Sequence, residues 1–301
     1  MKNLFGKQNI TVVTHDGIFH ADDVLCVALL EISFPDAYVW TIRTRDENKF
    51  FDADYVLDVG NKNTVEDGTV FFDHHDRPEL KECHSNGIQM AACGKLARHL
   101  GFPQQLWERA LYSVEAQDNG QKELSLQWPN PFSFVSSLNI GWDKKLNGEE
   151  QSRQFRIAVD MAKTVLQNIL AAIALENKAE QIVSTAIGEA TEHVAVLPQY
   201  VGGWQKFVCR HNADNPADRI MAVVFPSNSG YNVQMVPVSE SSFETYVSLP
   251  WKGLRSSELD TKSGIAGGVF VHPAGFLGAW TSLESAVDAA LKAVATYEWP
   301  E

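Results

Sequence analysis

The chain has 301 residues, of which 45% are hydrophobic, 21% charged and 10% aromatic. That length suits one large or two ordinary domains, and so much apolar and aromatic content excludes disorder as the main state. The net charge of -13 excludes a protein that coats nucleic acid through a broad basic face, but not an enzyme that meets phosphates through metal ions.

Acidic residues outnumber basic ones 19 to 11 within the first 120 residues, as a cluster of metal-binding carboxylates would require. No run approaches the ~18 to 20 uninterrupted apolar residues of a membrane span. The most apolar stretch, residues 165–175, is broken by Gln167 and Asn168. The first nine residues hold no apolar signal core, which predicts a cytoplasmic protein with no membrane partner. Cys26, Cys83, Cys93 and Cys209 form no Cys-x-x-Cys pair and read as buried, reduced thiols.

Strand and helix patterns alternate through the first 120 residues. Residues 10–14 are a β-branched run, and 21–32 follow with Val24, Leu25, Ala28 and Leu29 at helical spacing. Residues 37–44, 55–59 and 69–72 read as further strands, and 88–100 and 103–116 as helices. This rhythm predicts an α/β fold with a mostly parallel sheet and flanking helices. Residues 119–148 are irregular. A long helical pattern runs over 149–175 and, after a break, on to 190, with Phe155, Ala158, Val159, Ala162, Leu166, Ile169 and Ile173 on one stripe. Strand patterns at 194–197, 206–209, 219–225, 231–236 and 268–271 and a last helix at 283–295 predict a smaller α+β domain. The expected division is 1–120, a metal-binding catalytic domain; 121–190, an irregular segment and helical connector; and 191–301, the smaller domain.

Four of the nine histidines fall in the first 75 residues, beside aspartates. Thr14-His15-Asp16-Gly17-Ile18-Phe19-His20-Ala21-Asp22-Asp23 joins a strand to a helix. Asp58 and Asp73-His74-His75-Asp76 end two more strands, and Asp118 ends a helix. Each piece alone has a structural explanation. Asp22 or Asp23 could cap a helix, Asp58 could start a turn before Gly60, a single strand-end His could be a hydrogen-bonded loop residue, and Asp118-Asn119-Gly120 could be a helix stop. Together they place imidazoles and carboxylates on the carboxyl rim of one sheet, where ligands of parallel sheets bind. Unpaired carboxylates there would repel one another, and divalent cations remove the repulsion. Imidazole and carboxylate without thiolate suit Mn²⁺, Fe²⁺, Co²⁺ or Zn²⁺. About seven donors suit two ions ~3.5 to 4 Å apart, the arrangement that makes hydroxide and cleaves phosphoesters, with Asp58 as the bridge. His74 and His75 would face opposite ways on an extended strand, so one ligates and the other meets substrate.

Asp73-His74-His75, after a strand-end His/Asp cluster and a lone strand-end Asp, resembles the DHH phosphoesterase superfamily. The similarity is closest to its melanocyte-proliferating-gene-one branch, metal-dependent hydrolases associated with 3′-to-5′ RNA exonuclease activity. It is carried by the segment 14–23, Asp58-Val59-Gly60, Phe72-Asp73-His74-His75, Gln117-Asp118-Asn119-Gly120, Ser137-Leu138-Asn139 with Trp142, and Ser263-Gly264-Ile265 leading to Phe270-Val271-His272-Pro273-Ala274-Gly275-Phe276. The resemblance implies a DHH-like catalytic domain with two Mn²⁺ ions, other divalent metals being possible. His15, His20 and Asp58 would hold one ion, and Asp22, Asp58, His74 and Asp118 the other. His75 would face substrate, and Asp73 would orient a neighbouring imidazole. His20 stands where the wider superfamily has an Asp, Asp23 stands for a Glu, and Asp76 for a common Gln.

The resemblance also implies that the smaller domain grips substrate, with Arg255, Gly267, Gly268 and His272 as contacts. Arg43 and Arg45 are further candidates, whereas Trp204, Trp251 and Trp280 read as core. The function implied is a metal-dependent phosphodiester hydrolase, an exonuclease on RNA or short oligonucleotides. The alternatives are a phosphohydrolase of small molecules and a metal-binding, nucleic-acid-interacting protein without turnover.

Overall fold

The structure, a computed structural model, describes residues 8–75, 81–141 and 148–298. Asp76 and Trp142 therefore lie outside the described residues. The chain divides into two compact units, 1–173 and 174–301.

The first unit holds a five-stranded sheet of β1 (Asn9–Thr14), β2 (Tyr38–Arg43), β3 (Tyr55–Leu57), β4 (Thr64–Glu66) and β5 (Thr69–Phe72), in the order β2-β1-β3-β5-β4. All pairs are parallel except β4 with β5, a short edge hairpin that the sequence pattern does not reveal. The fold is thus α/β with a mostly parallel sheet. One face carries the main core. Ile10, Val12, Tyr55, Leu57 and Val70 pack there with α1 (Ala21–Ser33), α2 (Ala92–His99) and α3 (Tyr112–Asp118), which follows a π-helical turn at Trp107–Leu111. The other face buries a smaller cluster of Val13, Phe50, Ala53, Val56, Val59 and Phe71.

Helix α2 begins at Ala92 rather than at residue 88. Its start is set by two buried carboxylates: Asp22 accepts from the N–H groups of Ala92 and Cys93 at 3.0 and 2.7 Å, and Glu115 accepts from Ala91 at 3.1 Å. Carboxylates at a helix N-terminus satisfy its orphan donors and its dipole. Gly94 makes this approach possible, since a Cβ there would lie 1.7 Å from Glu115 Oε1.

A short α4 (Lys122–Ser125) and a 3₁₀ turn (Val135–Leu138) lead to α5 (Gly148–Gly188), one helix without the expected break. No Gly or Pro falls between Glu149 and Ile187, so nothing interrupts its hydrogen-bond ladder. By length and composition alone α5 would be able to cross a membrane. Its apolar stripe, Phe155, Ala158, Val159, Ala162, Leu166 and Ile173, is buried in the first unit's core.

The second unit has a sheet of β6 (Val194–Val196), β7 (Ala222–Ser227), β8 (Gly230–Met235), β9 (Gly268–Val271) and β10 (Leu277–Trp280), in the order β6-β7-β8-β10-β9. Only β6 and β7 are parallel. Helix α6 (Trp204–Asp214) replaces the strand expected at 206–209, because Trp204, Phe207, Val208 and Asn212 form a buried helical stripe. Helices α7 (Ser256–Ser263) and α8 (Leu283–Val294) complete this α+β unit. All four cysteines are free; Cys26 and Cys93 are buried as expected, but Cys83 is exposed and Cys209 half-buried. Trp204 and Trp280 are fully buried core residues.

Candidate metal centre

Strands β1, β3 and β5 are neighbours, so their carboxyl ends lie side by side. They deliver His15, Asp58 and the 73–75 turn to one place, where the strand order changes direction. Asp58 lies at the middle. It follows the last residue of β3 with φ 57°, a left-handed conformation that Asp tolerates better than most residues and that often marks a functional position.

Both imidazoles reach this carboxylate: His15 Nε2 lies 3.3 Å from Asp58 Oδ2, and His74 Nε2 lies 3.1 Å from Asp58 Oδ1. His74 Nε2 is also 2.7 Å from Asp118 Oδ2, and His20 Nδ1 is 3.6 Å from Asp118 Oδ1. Three groups of donor atoms, each within 4.8 Å of one another, result: His15, His20 and Asp58; Asp22, Asp58, His74 and Asp118; and Asp58, Asp73, His74 and His75. Asp58 is common to all three.

The two central imidazoles are held in a defined tautomer. His15 Nδ1 lies 2.9 Å from the Asp16 carbonyl and His74 Nδ1 lies 3.0 Å from Asn119 Oδ1. A carbonyl cannot donate, so His15 Nδ1 carries the proton. Asn119 is oriented by its own Nδ2, which donates to the carbonyls of Gln89 and Glu115 at 3.1 and 2.9 Å. Its Oδ1 therefore faces His74, whose Nδ1 must also donate. In the neutral rings, both Nε2 lone pairs then point at acidic oxygens.

Lone pairs facing carboxylates repel unless a proton or a cation lies between them. In the metal-free site, protons do so. Burial opposes charge on both rings, but Asp58 and Asp23 push His15 up to about 9, and Asp118 and Asp58 push His74 up to about 11. Burial likewise opposes the Asp58 charge, yet the two histidines hold its carboxyl well below the usual carboxylate range. Burial pushes Asp23 up to about 7, and pushes Asp22 up as well, with Asp58 and Asp118 adding repulsion.

A divalent cation fits the same donors. Two ligand atoms ~2.1 Å from one ion and at right angles lie about 3.0 Å apart, close to the 3.1 and 2.7 Å from His74 Nε2 to Asp58 Oδ1 and Asp118 Oδ2. Asp58 Oδ1 is also buried without an aligned hydrogen bond among the described residues, an orphan that ligation would satisfy.

The remaining expected residues take distinct places. Asp22 is fully buried, with each oxygen also accepting a helix α2 N–H. The His20 ring is half-exposed at the start of α1, and Asp23 accepts from the His20 N–H at 2.9 Å. Strand β5 ends at Phe72, so extended alternation does not separate His74 from His75. Instead, Asp73 Oδ1 accepts from both backbone N–H groups and from His75 Nδ1, the last at 2.7 Å. Burial opposes the Asp73 charge, but these bonds and one from the Asn61 N–H lower its pKa. The His74 ring ends up buried and the His75 ring 58% exposed, with centroids 4.2 Å apart.

Sequence reasoning assigned no role to the side chains behind this turn and its neighbours. Buried Lys95 donates to the Asp73 carbonyl at 2.6 Å. Asn139 clamps Phe19 by accepting from its N–H and donating to its carbonyl, both at 2.9 Å, which steadies the segment between His15 and His20. The only signal for Asn119 and Asn139 was their place within the motifs quoted above. Arg43 donates to the Gly17 carbonyl and lies over the rings of Phe155 and Phe19, while Arg45 pairs with Asp16.

The sequence matches the model of a family described as "Uncharacterised protein family (UPF0160)", MYG1_exonuc, over residues 11–103 and 102–294. The chain belongs to this family. Similar MYG1 relatives include a MYG1 protein of Saccharomyces cerevisiae, 27% identical over 97% of this chain and 98% of the yeast protein. The MYG1 exonuclease of Mus musculus is 29% identical over 92% of this chain and 83% of its own length, and that of Homo sapiens 28% identical over 92% and 84%. Among solved structures, RecJ from Thermus thermophilus in complex with Mn²⁺ matches with a TM-score of 0.29 and 14% identity, covering 99% of this chain. The chain spans about half, 53%, of that RecJ.

The candidate substrate contacts of this MYG1-family chain in its second unit are locally engaged. The Gly268 N–H donates to Asp260 Oδ1 at 2.7 Å, and a Cβ there would lie 2.7 Å from Leu259. Gly267 has φ +81°, and a Cβ on it would lie 2.3 Å from Thr281 Oγ1. Arg255 precedes α7, with its guanidinium over Phe270. His272 Nδ1 accepts from the Ala274 N–H at 3.1 Å, which leaves Nε2 as the donor of the neutral ring.

Proposed function

We propose that this chain is a phosphodiester hydrolase of the cytoplasm that works with two divalent ions, Mn²⁺ foremost, and shortens RNA or short oligonucleotides from an end. The observation that carries this reading is one carboxylate, Asp58, shared by every group of donors at the sheet rim. The mouse and human relatives bear the name exonuclease, which supports the same class of activity. When bound, two such ions acidify an attacking water and offset charge on the phosphoryl oxygens.

His15, His20 and Asp58 would hold one ion, and Asp22, Asp58, His74 and Asp118 the other. The Asp16 carbonyl and Asn119 keep the Nε2 lone pairs of His15 and His74 presented inward. His75 is anchored through Nδ1 to Asp73. Its exposed ring is free to hydrogen-bond a phosphoryl oxygen or to pass a proton to the leaving oxygen. Arg255 and His272 keep side-chain donors that suit a substrate phosphate, while Gly267 and Gly268 would shape the loop beside them.

The test is purified protein with Mn²⁺ and, in turn, short 5′-labelled RNA, DNA, pyrophosphate and a generic phosphodiester. Stepwise shortening of RNA is expected, with His74→Ala losing more than the ~100-fold that an outer-shell change costs. Metal uptake with no hydrolysis would make this a binding protein. Hydrolysis confined to small esters or pyrophosphate would make it a small-molecule phosphohydrolase.

A further inference from the structure

Beside the metal centre lies a cavity of about 280 Å³ that none of the site residues' roles accounts for. It shares His20 and Asp118 with the centre and extends from them along the end of α3 and the 130–136 turn. We infer that this cavity holds the terminal nucleoside of the substrate, next to the phosphate at the metal ligands. The inference rests on the proposed phosphodiester chemistry and adds which part of the substrate is gripped, and by what.

Chemistry and size point the same way. Apart from His20 and Asp118, the described lining holds no ionisable side chain, so a second phosphate finds no cation there. Buried Phe19 and Phe132 give it apolar wall, as a base or sugar face requires. Gln117, Asn130, Ser133 and Ser136 supply neutral hydrogen-bonding groups.

Two of these are set in advance. Asn130 Oδ1 accepts from the Phe132 N–H at 3.1 Å, and its Nδ2 donates to Gln117 Oε1 at 3.0 Å. The Gln117 amide is thereby turned so that Nε2 remains as a donor for a carbonyl or hydroxyl of the ligand. Ligand pockets begin at roughly 300 Å³, so the cavity suits one nucleoside and not a dinucleotide. A pocket of that capacity directly beside the phosphate site favours release of one nucleotide at a time.

The experiment is calorimetric titration of the Mn²⁺-loaded full chain with adenosine 5′-monophosphate, uridine 5′-monophosphate and inorganic phosphate. The monophosphates are expected to bind at least about tenfold tighter than phosphate, or ~1.4 kcal/mol. Ser136→Trp, at an exposed position, fills the cavity and should bring that ratio to about one, while calorimetry shows Mn²⁺ binding unchanged. Ser133→Phe serves as the second filling variant. Equal affinities for phosphate and the monophosphates in the wild type overturn the inference, as does a ratio that survives both substitutions. RNA left uncleaved, with the monophosphate preference intact and lost on filling, would sink the hydrolase reading alone.

Discussion

The rim of the first sheet and the 253–276 region of the second unit both drew attention in the sequence for the same reason, polar or glycine-rich residues at the ends of strands. Their physical states differ. In the second unit part of this chemistry has local partners: Asp260 accepts from the Gly268 N–H and His272 Nδ1 accepts from the Ala274 N–H, while the Arg255 guanidinium lies over Phe270 and keeps its N–H donors. At the first rim three carboxylates, Asp22, Asp23 and Asp58, are buried together, and protons on His15 and His74 offset their charge. Outer hydrogen bonds fix both imidazoles so that a cation could take the place of those protons.

This contrast can be broken by substitution. Among residues that touch no proposed ion, the largest effect is expected at Asn119. Asn119→Leu removes the acceptor that fixes the His74 tautomer and should weaken Mn²⁺ binding ~10- to 100-fold; unchanged affinity in calorimetry would show that the orientation is dispensable. In the second unit the opposite pattern is expected. Gly268→Ala drives a methyl against Leu259 and should cost ~1 to 3 kcal/mol of stability by overpacking. Denaturant melts should register this loss while Mn²⁺ affinity stays at the wild-type value.

The remaining expected effect is a pH dependence of the metal-free protein. A histidine whose pKa rises on folding adds stability that is complete below its unfolded value near 6.5 and is lost as pH climbs through the folded value. For His15 that window runs from about 6.5 to about 9. The melting temperature of the metal-free protein should fall across it, and Mn²⁺ uptake should release protons. A flat profile would mean that His15 and Asp58 do not interact as described.

Much of the first unit was legible because its chemistry sits at strand ends, where short apolar runs stop just before His15, Asp58 and Asp73. Periodicity marks such ends well. The helix at Trp204–Asp214 was misread from a four-residue window. Its stripe of Trp204, Phe207, Val208 and Asn212 emerges only over three turns. Glu115 and Lys95 were invisible for another reason, and Asn119 showed only as part of a motif. Each is polar within or beside a helix, a position normally given to solvent, and its role comes from contacts 22 to 45 residues away that only the tertiary fold creates. Asp22 shows both sides: it was expected to hold a metal or to cap its own helix, and it caps the distant α2 while also lying within a donor group.

The central claim is a pair of divalent ions that share Asp58. Counting Mn²⁺ per chain by elemental analysis after desalting, on the wild type and on Asp58→Asn, tests it most directly. Two ions per wild-type chain and loss of both in the variant are predicted. A wild type that holds a single ion, or a variant that keeps one at full occupancy, would contradict it.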